Sequence, residues 1–151
     1  MAVASGGADM RVCIVGVGAV GSLFAAHLAQ VDGVEVWGYD VVAPHVEAIN
    51  RSGLKLVGEA SLTARVHATT DASELPPCDF GIVATKSMFT RSAIGQAAQA
   101  FADGAVASVQ NGVGNEEVIA EHVERVIRGT TFPAGRVLEP GVVQMDTRGD
   151  T

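Results

Sequence analysis

Strands that alternate with helices, a first strand that runs directly into a three-glycine turn, and an aspartate closing the second strand together predict an α/β fold. The expected architecture is an open, mostly parallel sheet with helices on both faces. At 151 residues, 48% of them hydrophobic, the chain is long enough to bury one core without disulfides or metal. Residues 1–9 are small, partly polar and aperiodic, and read as a flexible tail; residues 10–151 read as one domain, with its last strands from about 129 onward.

Arg11 to Val15 is a short apolar run rich in β-branched residues, as expected for a parallel strand buried on both faces. After the glycine turn, Ser22 to Gln30 reads as a helix ended by Asp32-Gly33, and Val34 to Tyr39 as the second strand. Pro44 to Arg51 reads as a helix stopped by Gly53, followed by short strands at Leu54 to Val57 and Leu62 to His67. Pro76-Pro77 marks a loop before a buried strand at Phe80 to Ala84. Ser87 to Phe101 reads as an alanine-rich helix, Ala105 to Val109 as a strand, and Glu116 to Ile127 as a helix capped by Asn115. Beyond Gly129 the pattern is strand, turn at Pro140-Gly141, then strand at Val142 to Met145, whose continuation would leave an exposed sheet edge if the chain stopped there.

The turn itself is Gly16-Val17-Gly18-Ala19-Val20-Gly21, a G-x-G-x-x-G pattern between a strand and a helix. In a Rossmann-type unit the first glycine permits the tight turn, the second lets backbone approach a pyrophosphate, and the third lets helix and strand pack closely. The helix N-terminus then supplies N–H donors and positive dipole to the phosphates. Asp40, about twenty residues on, stands where an acidic side chain accepts hydrogen bonds from an adenosine ribose, which favours NAD(H) because a 2′-phosphate would meet like charge. Its plainer reading is an exposed turn aspartate. Arg51, at a helix end, is poorly placed to clamp a phosphate.

Ligands of open parallel sheets lie across the carboxyl ends of the strands. Two polar residues follow buried strands immediately: Lys86 after Gly81 to Thr85, and Asn111 after Ala105 to Gln110. Both are expected to open toward one cleft. Read without further context, Lys86 is equally a solvated lysine and Asn111-Gly112 a common turn.

Taken together, Gly16 to Gly21 with Ala19-Val20 inside it, Ala84-Thr85-Lys86, Gln110-Asn111-Gly112-Val113-Gly114-Asn115-Glu116, and Gly129-Thr130-Thr131 followed by Ala134-Gly135 resemble the ketopantoate reductase family, in order and with suitable spacing from Met10 onward. The resemblance implies NADPH-dependent reduction of the 2-keto group of 2-dehydropantoate, or of a related keto acid, to the hydroxy acid, in pantothenate biosynthesis. It further implies that Gly16, Val17, Gly18, Ala19, Val20 and Gly21 hold the pyrophosphate, that Lys86 and Asn111 line the cofactor and substrate cleft, that Asn111 orients substrate, and that Gly135 touches the cofactor through its backbone. The sequence departs from the family in two places. Asp40-Val41-Val42 stands where members carry an arginine for the 2′-phosphate, so NADP(H) is what the family implies and NAD(H) what Asp40 favours. The chain also stops before the helical C-terminal domain in which the family keeps its general-acid lysine and substrate-binding carboxylate, so this length alone is expected to be inactive. The alternatives are a stand-alone NAD(H)-sensing module and a reductase of another small keto or hydroxy acid.

A net charge of −7 without a basic stripe argues against nucleic acid as a partner. Arg11 and the apolar run to Ala26 superficially resemble a secretory signal, but the glycines interrupt it, and it is too short for a membrane span. A cytoplasmic enzyme is the expected setting, and a homodimer stays open. His27, His45, His67 and His122 show no ligand spacing, and Cys13 and Cys78 form no C-x-x-C pair, so no metal is expected. The histidines read as helix-face or strand-surface residues, Cys13 as a small buried strand residue, and Cys78 as a loop or strand-entry cysteine without an activating partner.

Overall fold

The structure is a computed structural model that describes residues 7–147. The expected tail at 1–9 falls outside it as far as residue 6, and Asp9 is already tied to the fold, its N–H donating to the Gly33 carbonyl at 2.8 Å. In chain order the elements are β1 (Met10–Val15), α1 (Ala19–Leu28), β2 (Val34–Tyr39), α2 (Ala43–Ser52), β3 (Leu54–Gly58), β4 (Leu62–Ala64), β5 (His67–Thr69) and β6 (Phe80–Val83). They continue with α3 (Thr90–Ala97), β7 (Ala105–Ser108), α4 (Asn115–Ala120), β8 (Val126–Arg128), β9 (Ala134–Glu139) and β10 (Val142–Thr147).

Six strands form one sheet in the order β5-β2-β1-β6-β7-β8, and every neighbouring pair is parallel. The chain therefore moves outward in one direction from β1 to β2 and β5, then returns to lay β6, β7 and β8 on the other side. That reversal between β1 and β6 is the topological switch point of a Rossmann sheet, and it opens a crevice at the strands' carboxyl ends. The alternation of β1 shows why the sheet is covered on both faces. Val12 and Ile14 share one core with Leu23, Ala25 and Ala26 of α1; Cys13 and Val15 share the other with Ile94 and Ala97 of α3 and Ile119 of α4.

A second, four-stranded sheet runs β4-β3-β10-β9, with β3 and β10 parallel and both outer pairs antiparallel. Its Leu54, Leu56, Val143 and Met145 belong to the same core as Val12 and Ile14, so α1 is packed between the two sheets. Burying an aliphatic side chain on this scale stabilises by about 1.5–3 kcal/mol per residue.

Five sequence expectations need correction. The segment 62–67 is two strands, not one: β4 ends at Ala64 in the small sheet, and β5 begins at His67 in the large one. Helix α1 starts at Ala19, inside the glycine turn, rather than at Ser22. The helix expected from Glu116 to Ile127 stops at Ala120, because Val126 and Ile127, both β-branched, pair with Val106 and Ala107 as β8. Its N-cap is Gly114, with φ of 91°, rather than Asn115. Finally, Val142 to Met145 leaves no sheet edge, since β10 lies between β3 and β9; the edges of that sheet are β4 and β9. The segment Ser87 to Phe101 is helical as expected, tightening to 3₁₀ turns on either side of α3.

Candidate functional site

The three glycines of the turn do three different jobs. Gly16 has φ of 94°, and a Cβ there would lie 2.6 Å from the Thr85 methyl, so both its dihedral and its surroundings require glycine. Gly21 sits in α1, where a Cβ would land on the Gly16 carbonyl oxygen, well inside van der Waals contact. Gly18 differs: its φ is −74° and an added Cβ would meet nothing within 4 Å. Neither packing nor backbone conformation demands glycine at 18, and the space beside it is open.

That space is a cleft of about 470 Å³ at the switch point. Gly16, Gly18, Ala19 and Val20 form one wall, Tyr39, Asp40 and Val42 the second, and Thr85, Lys86 and Phe89 the third. The free N-terminus of α1 has no acidic residue in its first turn and directs positive dipole into the cleft. Asp40 is held at the rim by two backbone donors: Val17 N–H to Oδ2 at 2.8 Å, and Val42 N–H to Oδ1 at 2.9 Å. Burial pushes the Tyr39 phenol up, with the Asp40 and Asp71 charges adding to it, so Tyr39 stays protonated and donates to Gln96 Oε1 at 3.0 Å.

Lys86 and Asn111 stand at neighbouring strand ends as expected, but they do not open into one cavity. Lys86 is exposed on the rim of the larger cleft; Asn111 lines a second, polar pocket of about 200 Å³ with Arg128, Gly129, Thr130 and Thr131. The partition between them is a short loop: the Ser87 hydroxyl donates to the Asn111 carbonyl at 3.0 Å. Thr131 Oγ1, on the wall of this polar pocket, is buried and lacks a hydrogen-bond partner. Gly135 lies in β9 and lines neither cavity. A Cβ there would meet the Gln144 carbonyl oxygen at 2.5 Å, so cross-strand packing accounts for the glycine.

Sequence reasoning missed the group that holds the two strand ends together. Gln110 Nε2 donates to the Thr85 carbonyl (2.8 Å), Thr85 Oγ1 (3.1 Å) and Thr90 Oγ1 (2.7 Å). Thr90 Oγ1 donates in turn to Asn115 Oδ1, and Asn115 Nδ2 to the Asn111 carbonyl. The available signal was Gln110 itself, an amide placed directly after a buried strand. Gln110→Ala is expected to cost about 1 kcal/mol, since it removes the donor shared by half-buried Thr85 and buried Thr90; urea unfolding measures it, and an unchanged midpoint would mean that water replaces the amide without loss.

His27, His67 and His122 are exposed, as expected; His45 is not, at 5% exposure. Nor are the two cysteines isolated from each other. Cys13 and Cys78 share a core, and the hydrogen bond to Cys78, together with complete burial, pushes the Cys13 thiol well up, so that it stays protonated. Among the described residues no group of three or more His, Cys, Asp or Glu side chains could hold a metal ion, and no helix is long and apolar enough to cross a membrane.

Comparison with known proteins gives one consistent result. The family model described as ketopantoate reductase PanE/ApbA matches residues 12–151. The 2-dehydropantoate 2-reductase of Pyrococcus abyssi is 41% identical over 143 residues, an alignment covering 94% of this chain and 46% of that protein. Among solved structures, a PanE/ApbA family ketopantoate reductase from Ralstonia eutropha JMP134 superposes with a TM-score of 0.83 at 32% identity, over 91% of this chain and 47% of that one. A D-mandelate dehydrogenase solved with NADH and anilino(oxo)acetate superposes with a TM-score of 0.85 at 28% identity, over 93% and 46%. The chain thus spans about half the length of the relatives it matches.

Proposed function

The chain belongs to the ketopantoate reductase family, and from that membership we propose that it is the cofactor-binding part of an NAD(P)H-dependent reductase that converts a 2-keto acid, 2-dehydropantoate or a close analogue, to the 2-hydroxy acid. The observation that carries this reading is Gly18: it is the one glycine of the turn with neither a steric nor a dihedral requirement inside the fold, and it faces the cleft at the switch point. A backbone left bare beside a helix N-terminus is what close approach of a pyrophosphate calls for.

On this reading Gly16 to Gly21 hold the pyrophosphate, and Asp40 takes the adenosine ribose. Each Asp40 oxygen already accepts one backbone N–H and keeps a second acceptor site for a ribose hydroxyl. Its charge opposes a 2′-phosphate, which makes NADH the preferred coenzyme. The bound nicotinamide supplies the hydride. Lys86 and Asn111, at the ends of adjacent strands but lining separate pockets, orient the keto acid and stabilise the oxygen on which negative charge develops once the Ser87 partition between them opens. Gly135 is proposed to meet the cofactor through its backbone only if β9 shifts, because it lines neither cavity. A second keto acid class has specific support: the dehydrogenase neighbour was solved with NADH and anilino(oxo)acetate, an aromatic carboxylate with a carbonyl at the 2-position, so a related aromatic 2-keto acid belongs among the substrates to assay.

A titration of the chain with NADH and NADPH, followed by nicotinamide fluorescence, tests the reading. NADH is expected to bind at least about tenfold more tightly, corresponding to about 1.4 kcal/mol, and Asp40→Asn to narrow that ratio by removing the charge while keeping an acceptor for Val17. Tighter binding of NADPH would reduce Asp40 to a clamp on the glycine turn. Absence of binding to either coenzyme would overturn the reading.

A further inference from the structure

Val17 is held on both sides by side chains, and the peptide it forms with Gly18 by two of them. Val17 N–H donates to Asp40 Oδ2, while its carbonyl accepts from the Ser22 hydroxyl at 3.1 Å and meets His45 Nε2 at 2.8 Å. Val17 and Ser22 are fully buried, and His45 nearly so. The other ring nitrogen settles the tautomer. His45 Nδ1 faces the N–H of Gly141, in the turn between β9 and β10, at 2.9 Å. A backbone N–H only donates, so Nδ1 is the bare acceptor and Nε2 carries the proton given to Val17.

A trans peptide points its carbonyl oxygen and the following N–H in opposite directions across one plane. Holding the Val17 carbonyl toward the buried Ser22 and His45 therefore turns the Gly18 N–H the other way. Gly18 lines the larger cleft, and among the described residues its N–H donates to no backbone carbonyl. We propose that His45 is a positioning residue for the pyrophosphate site: with Ser22 it pins the Val17 carbonyl inward and so presents the Gly18 N–H to phosphate, while Gly141 fixes the ring tautomer that makes this work. The inference rests on the cofactor-binding reading above. It adds a contribution from a distant part of the chain, since the second sheet's hairpin sets the donor geometry of the glycine turn through His45, itself 96 residues before Gly141 in sequence.

The test compares two ligands that differ in the pyrophosphate. His45→Leu is expected to weaken ADP-ribose about tenfold, the worth of one amide–phosphate hydrogen bond, while leaving the weaker binding of adenosine within about twofold. His45→Gln, whose Nε2 can stand where the ring donor stood, is expected to recover most of the loss, and Ser22→Ala to reproduce part of it. A merely structural histidine would lower the unfolding midpoint and affect both ligands alike, which would overturn the proposal. So would ADP-ribose binding indifferent to His45. The imidazole ¹⁵N spectrum of the unsubstituted chain is expected to show Nε2 protonated and Nδ1 bare, and the opposite tautomer would overturn the proposal even if the leucine variant failed to fold. Failure of the unsubstituted chain to bind ADP-ribose at all would overturn the cofactor reading, and this inference with it.

Discussion

Gly18→Asp is expected to leave unfolding within about 0.5 kcal/mol of the parent while weakening NADH by about a hundredfold or more. The two halves of this expectation have separate causes. Stability is spared because the backbone at 18 has φ of −74°, and a Cβ there meets no atom within 4 Å. Binding is lost because the same open space is where the pyrophosphate would lie, so a carboxylate both occupies it and repels the phosphates. Thermal unfolding and a fluorescence titration on one sample check both halves. A variant that binds NADH like the parent would mean that the cleft beside Gly18 is not the dinucleotide site.

Gly21→Ala, three residues away, is expected to do the opposite and to cost about 3 kcal/mol or more. The added methyl would overlap the Gly16 carbonyl oxygen and lie 3.1 Å from Ile14 Cγ2. Helix α1 has nowhere to retreat, because its Leu23, Ala25 and Ala26 are fixed in the core shared by both sheets. Denaturant unfolding measures the loss, and a change below about 1 kcal/mol would show that α1 can slide on β1. Two single-residue changes inside one six-residue pattern should therefore separate ligand affinity from fold stability.

The parts of the molecule that follow from local periodicity were legible in the sequence. The β1 run Val12 to Val15 buries both faces as its pattern requires, and Gly53 stops α2 as a positive-φ glycine should. What misled the reading were events decided by distant partners. Nothing local marks the departure of the chain from one sheet to another between Ala64 and His67. Val126 and Ile127 became a strand because β7 offered a free edge. The candidate site divides in the same way. The glycine turn, Asp40, Lys86 and Asn111 announce themselves by position after strands. The Gln110–Thr90–Asn115 network exists only once two strand ends and a helix meet. His45 looked like any polar residue of an amphipathic helix, and its two partners, Val17 and Gly141, come from distant parts of the chain.

The pairing of β10 with β3 also sets an order of events during synthesis. β3 and β4 are made together and can form their antiparallel pair at once, but β10, the other neighbour of β3, is made only after five further strands. Until then the Leu54 and Leu56 strand presents unpaired N–H and C=O groups beside an apolar face, the arrangement that invites another chain to add a strand. The half of the fold that carries α1 thus stays unsealed until β10 is made, and this particular opening to misassembly closes with a single strand.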